Sequence, residues 1–354
     1  MARTRRSSGE TRWLCRWLRL VGRLQPPQRR RRGHPDVYSS AAMVKAFFVM
    51  TVKKVKRFQG LYNYLANNDP IRRACGFRDG LPHRRTFTRR FHRLADELGD
   101  WMRQAAQEAI DKGYITARVA AADKSLHQAR GPLWHANDRR RGRIPAKLRG
   151  VDRDSQWGYS PYHKYVQGYA EHAIVNATPG EARFPLDAVA GTAQMVEHEV
   201  LRQRLGQLPA AVRKVLIDGQ YDDNGLLGVL RQRKIAPVLP AGVFRKAAPK
   251  SAARQWAARV RAAKVNQQLY RRRRTTIEPH FGLDKGRFEN HTVWFYGLAN
   301  NCTHLPLTSF VVQVLMLDNF EQGRPAEDIQ WLLDAAARIV SGPQLILEAE
   351  PGLA

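Results

Sequence analysis

The sequence predicts a mixed α/β sheet flanked by helices and preceded by a small all-helical unit. Apolar residues recur at spacings of three and four up to about residue 113, which is the helical period. From about residue 114, short β-prone apolar runs alternate with helical stretches, an order that calls for a mixed sheet with at least one parallel crossover. The chain of 354 residues is long enough for a well-packed core and two folded units.

Residues 1–36 carry eleven Arg against Glu10 and Asp36, with Pro26-Pro27 and the run Arg29 to Arg32. This composition predicts a flexible basic extension, with Met43 as an alternative start. In the helical unit, 37–113, Ala41 to Val52 is one helix, and Leu61 to Asn67 with Ile71 to Cys75 forms a second cluster. After Pro82 comes a long amphipathic helix on Phe87, Phe91, Leu94, Leu98, Met102, Ala105 and Ala109, with Gly113 as its C-terminal cap. Arg72, Arg73, Arg84, Arg85, Arg89 and Arg90 on short helices suggest a helix-turn-helix-like DNA-binding module. A plain bundle with solvated Arg faces is the alternative.

The sheet region spans 114–317. Strands are expected at Ile115 to Asp123, Lys164 to Ala177, Arg183 to Ala190, Val212 to Ile217 and Ile235 to Leu239. Helices are expected at Met195 to Leu205, Asn224 to Arg233 and 247–274. An acidic C-terminal tail, 318–354, follows.

Composition narrows the function. An excess of 60 Lys and Arg over 31 Asp and Glu, formal charge +29, points to a nucleic-acid partner through phosphate neutralisation. An anionic membrane surface is the weaker alternative. No apolar run reaches the roughly 18 residues of a membrane span, and Leu305 to Leu317 is too short. Trp13 to Leu24 is interrupted by Arg16, Arg19 and Arg23, so it lacks a secretory apolar core. Cys15, Cys75 and Cys302 fit neither a disulfide framework nor a zinc ribbon and suggest a reducing cytoplasm. The scattered His residues show no zinc-ligand spacing.

Three acidic residues stand out in so basic a chain. Asp123 ends the run Val119-Ala120-Ala121-Ala122, and Asp218 ends Val215-Leu216-Ile217. Glu278 lies in the basic segment Tyr270 to Phe288. Carboxylates on separate rigid elements suit a hard dication bound beside a polyanion. An Asp after a strand is also an ordinary turn former or helix cap. Arg274, Glu278 and Lys285 have offsets of four and eleven residues, which lie within about 40° of one another on one continuous helix. Pro279 makes that conditional, since it disfavours helical geometry at Glu278 and is expected to kink the helix or start a new one.

The order Asp123, Asp218, Glu278, with the third in an Arg-x3-Glu-x6-Lys context, resembles the DDE transposases of bacterial insertion sequences. The likeness is greatest to the superfamily of insertion-sequence families four and five. That group's third motif is Tyr-x2-Arg-x3-Glu-x6-Lys; here the Tyr position holds Arg271, with Tyr270 one residue early. Asp218 with Tyr221-Asp222 resembles the second motif, and Ala122-Asp123-Lys124-Ser125 the first. The stretches His34 to Phe77, Leu81 to Phe87 and Trp157 to His172 extend the likeness over about residues 34–315.

The resemblance implies an RNase H-like catalytic domain in which Asp123, Asp218 and Glu278 hold Mg2+, with Mn2+ as an alternative. It implies hydrolysis of DNA at element-end inverted repeats and transfer of 3′-OH ends to target DNA. Arg274 and Lys285 would contact phosphates near the scissile bond, with Arg271, Arg84 and Arg85 as further DNA contacts. A homodimer is implied in the complex that pairs two ends, in the bacterial cytoplasm at the nucleoid and with no membrane role. A catalytically inactive remnant that only binds DNA, and a metal-dependent nuclease on the same scaffold, are the competing expectations.

Overall fold

The computed structural model describes residues 2–27, 36–160, 164–240 and 251–337. Five helices come first: α1 (Ala2–Arg23), α2 (Ser40–Val52), α3 (Phe58–Ala66), α4 (Asp69–Cys75) and α5 (Arg84–Asp111). Every apolar position expected on the long amphipathic helix is buried in α5, and Gly113 follows with a positive φ of 71°. Ser39 caps α2, its Oγ accepting the Ala42 N–H at 3.1 Å.

The segment expected to be a flexible extension is instead helical through Arg23. Leu14, Trp17, Leu18 and Val21 are buried, at offsets of three, four and seven. Apolar burial on one face therefore outweighs the Arg residues on the other. Arg16 donates from Nε and Nη2 to the buried Asp318 carboxylate, which also accepts from Arg324. The run Arg29 to Arg32 lies outside the described residues.

Six strands form one mixed sheet: β1 (Val119–Gln128), β2 (Gln156–Ser160), β3 (Lys164–Asn176), β4 (Pro185–Thr192), β5 (Lys214–Leu216) and β6 (Ala236–Val238). Short helix α6 (Ala136–Arg140) lies between β1 and β2; α7 (Glu197–Arg204) precedes β5, and α8 (Asn224–Gln232) is the β5–β6 crossover. β3 runs antiparallel to β1, β2 and β4, and β1, β5 and β6 are mutually parallel neighbours. At Gly168 β3 runs close against β1: a Cβ there would collide with the His127 carbonyl. β2 was not among the strands expected from periodicity; it lies at the start of the stretch Trp157 to His172 that carries part of the family likeness.

β1 is longer than the apolar run that announced it. Pairing with β3 continues from Ala120–Asn176 to Gln128–Gly168, so Asp123 sits within the strand rather than at its end. The small side chains of Ala120, Ala121 and Ala122 are fully buried. They have weak intrinsic strand preference, and packing on both faces decides their conformation.

The helical segment expected at 247–274 is described from 251 and divides into α9 (Ala252–Ala262) and α10 (Lys264–Tyr270); α11 (Arg272–Arg287) follows. The expected break at Pro279 does not occur, and α11 runs through it as one helix. Pro279 cannot donate to the Thr275 carbonyl one turn back. Arg183 supplies the missing donor, its Nη1 lying 3.2 Å from that oxygen.

Leu305 to Leu317 forms the middle of α12 (Leu298–Glu321), buried on all sides between α5 and β4. It is a core helix, and among the described residues no helix is long and apolar enough to cross a membrane. The first part of the expected acidic tail completes α12 and adds α13 (Gln330–Ala337), where Leu332 and Leu333 are buried. Residues 338–354 lie outside the described residues.

Candidate active site

The sheet register brings two of the three expected carboxylates together. Ala121 on β1 is paired with Leu216 on parallel β5. Two residues on, Asp123 and Asp218 therefore emerge at the same level on neighbouring strands, where β5 has ended and β1 continues. Spacing alone places their backbones about 5 Å apart.

Arg273 on α11 bridges the pair: its Nη2 lies 2.7 Å from Asp123 Oδ2 and 3.4 Å from Asp218 Oδ2. The other oxygens are taken by backbone donors, Asp123 Oδ1 by Lys124 N–H and Asp218 Oδ1 by Gln220 N–H, each at 2.8 Å. Asp218 thus also serves as the turn former that its position suggested, capping the 3-10 turn Gly219–Tyr221.

A third carboxylate comes from α7. One ligand oxygen each of Asp123, Glu197 and Asp218 lie within 4.8 Å of one another. Glu197 Oε1 pairs with Lys124 Nζ at 2.9 Å, and its Oε2 is buried without a hydrogen-bond partner. Burial pushes the Asp123 carboxyl up to about 6, against the lowering influence of Arg273; Asp218 and Glu197 push it further up. Burial likewise raises Glu197, partly offset by Lys124. Two carboxyls that give up their protons reluctantly, beside an unpartnered oxygen, are a donor set that a hard dication would satisfy.

Glu278 does not join this group. Its side chain is 65% exposed and faces Arg274, itself 82% exposed, across 3.8 Å. The face of α11 against the sheet is instead Arg273, Thr276, Ile277, His280, Phe281 and Asp284. Because α11 is continuous, Arg274, Glu278 and Lys285 do share one stripe, which runs beside the buried face. Lys285 is half-buried, and Arg271, Arg84 and Arg85 are exposed.

Three details refine the motifs. Asp223 caps α8, its Oδ1 accepting Leu226 N–H at 2.8 Å, and Asp222 holds Arg254. Tyr221 is buried, its hydroxyl 2.9 Å from His172 Nε2. Arg90 is no surface cation: it is buried and donates to the Tyr38 carbonyl and Ser40 hydroxyl.

Neither Glu197 nor Arg273 was singled out in the sequence. Glu197 sits among Glu and His residues with no motif around it. Arg273 is one of four consecutive arginines, and only the rotation of α11 distinguishes it from Arg274.

Carboxylates with the spacing of a possible metal-ligand group thus gather where a parallel strand ends, in a strongly basic α/β protein. A family model described as a transposase DDE domain matches residues 114–305, more than half of the chain. The chain therefore belongs to the DDE transposases, which move insertion elements. No curated protein and no solved structure matches it.

Proposed function

We propose that the protein binds the inverted repeats at the ends of its insertion element, hydrolyses the DNA there and transfers the 3′-OH ends to target DNA. The element would be of the group of insertion-sequence families four and five. The observation that carries this is the shared level of Asp123 and Asp218, joined by the unpartnered oxygen of Glu197. The antiparallel–antiparallel–parallel–parallel order of β4, β3, β1, β5 and β6 supports an RNase H-like scaffold.

Asp123 and Asp218 would hold Mg2+ or Mn2+, with Glu278 as the motif's third carboxylate and Glu197 as an additional one. When bound, such ions activate the attacking hydroxyl and stabilise the leaving oxygen. The chain's own part is positional. Arg273 holds Asp123 and Asp218 in register before the site is loaded. Arg274 and Lys285, on the stripe that borders the site, meet phosphates near the scissile bond, where fixed cations favour developing charge. Arg271 extends that contact. Arg84 and Arg85, at the exposed start of α5 in the helical unit 37–113, bind DNA farther out. Two ends must be paired, so the working complex is a homodimer, acting at the nucleoid in the cytoplasm.

One observation favours a second reading, a remnant that binds ends without cutting: Arg273 already neutralises both aspartates. Incubation with Mg2+ and DNA bearing the inverted repeats that flank this gene separates the cases. Strand-transfer products support transposition, cleavage alone a nuclease on the same scaffold, and shifted but uncut DNA the remnant. Asp123→Asn and Asp218→Asn each abolish cleavage while leaving end binding intact. Glu197→Gln and Glu278→Gln, assayed separately, decide which supplies the third ligand; full cleavage by either removes that residue.

A further inference from the structure

We propose that His127, Glu171 and Asp284 form a second metal site, buried between the sheet and α11, which takes a transition-metal dication of the zinc class. One ligand atom from each lies within 4.8 Å of the other two, and all three side chains are essentially inaccessible to solvent. They come from β1, β3 and α11, so an ion there would tie the helix that carries Arg273 and Glu278 to the two central strands.

Each residue has one polar atom fixed by the fold and one left open. His127 Nδ1 lies 2.8 Å from the Asn290 carbonyl. A carbonyl only accepts, so Nδ1 carries the hydrogen and Nε2 keeps a free lone pair. Glu171 Oε1 accepts from Ser309 Oγ at 3.0 Å. Asp284 Oδ1 accepts from Asn290 Nδ2 and from Thr308 Oγ1, each at 2.7 Å. The remaining atoms, His127 Nε2, Glu171 Oε2 and Asp284 Oδ2, are buried and have no partner. A ligating imidazole with its other N–H on a backbone carbonyl, and carboxylates steadied by hydroxyl and amide donors, are the outer contacts that orient metal ligands.

The spacings fit ligands better than hydrogen bonds. His127 Nε2 is 3.8 Å from Glu171 Oε2, and Asp284 Oδ2 lies 3.6 Å from the other ring nitrogen, Nδ1. Both exceed hydrogen-bond length. Two ligands about 2.1 Å from a shared tetrahedral ion stand roughly 3.4 Å apart. The two carboxylates carry two negative charges that a dication would balance, where Lys285 is the one cation acting on both among the described residues. An imidazole with two carboxylates selects zinc or a neighbouring transition metal over Mg2+.

This site is distinct from the first and does not depend on the proposed catalysis. His127 is four residues beyond Asp123 on β1, about 13 Å along the strand. The test uses the full chain as the Asp123→Asn/Asp218→Asn variant, which removes the first site. After chelator treatment, one equivalent of Zn2+ or Co2+ is added in millimolar Mg2+, followed by gel filtration and metal analysis. About one ion per chain is expected to remain, with Co2+ giving the visible bands of a low-coordinate centre and melting raised by several degrees. Adding Glu171→Gln, close in shape and relieved of a buried charge, should weaken retention at least tenfold. Loss of all metal during filtration, or equal retention in the Glu171→Gln protein, overturns the proposal. The Co2+ spectrum of the parent decides the matter alone if the added substitution prevents folding: no visible bands refute it.

Discussion

Lowering the pH should weaken dication binding at the Asp123–Asp218 site in a step set by one residue. The Asp123 carboxyl titrates at about 6 rather than at its ordinary 3.8, chiefly through burial. The charged groups facing it are Arg273, Asp218, Glu197 and the neighbouring Lys124. A bound dication requires the ionised form, so the proton competes with it. At pH 7 about nine-tenths of Asp123 is ionised, and at pH 5 about one-tenth. Apparent affinity should thus be nearly flat above pH 7 and fall about tenfold, or about 1.4 kcal/mol, per unit below pH 6. In the metal-free protein the sign is opposite. A raised carboxyl contributes stability that is full below its unfolded value near 3.8 and lost as pH rises through about 6. The loss is at most about 3 kcal/mol, trimmed by the 21% of the side chain that meets solvent. Calorimetric titration with Mn2+ at constant ionic strength from pH 5 to 8 reads the first effect. Thermal melting of chelated wild type against Asp123→Asn reads the second. An affinity independent of pH over that range, or an inflection near 4, would refute the reasoning.

Other outcomes follow from the same contacts. Arg273→Met should raise dication affinity severalfold by unmasking two carboxylates, while costing the metal-free protein about 3 kcal/mol as a broken buried pair; urea melts with and without Mg2+ measure both. Trp17→Ala should cost about 3–5 kcal/mol as a large-to-small core change; an unchanged urea midpoint would mean that α1 does not pack as described. Binding to end DNA should fall about a thousandfold between 50 and 200 mM salt if about six phosphates are neutralised, and a flat response in a filter-binding assay would remove the basic surface from the interface.

What was legible in the sequence, and what was not, divides along physical lines. Asp123 and Asp218 announced themselves because each follows an apolar run long enough to be a buried strand. Their meeting depends on the register of β1 against β5, a long-range property that no local pattern encodes. The apolar face of α1 was present as Leu14, Trp17, Leu18 and Val21, but the interleaved arginines dominated the composition. Pro279 suggested a break because the donor that rescues the Thr275 carbonyl, Arg183, lies on a distant part of the chain. For Glu278 the spacing places it on one stripe with Arg274 and Lys285, but the rotation of α11 leaves Glu278 and Arg274 exposed and turns Arg273 towards the aspartates.

The bond between Arg16 and Asp318 joins positions 302 residues apart. At ribosomal speeds of roughly 5–20 residues per second, α1 leaves the tunnel some 15–60 s before α12, one of the helices it packs against. During that interval its apolar face is covered only by α2 and α4, the native neighbours already made. A message truncated before Asp318 would yield a polypeptide holding every candidate site residue but lacking the Arg16–Asp318 bond. The packing around α1 is therefore complete only once the chain through Asp318 has been made.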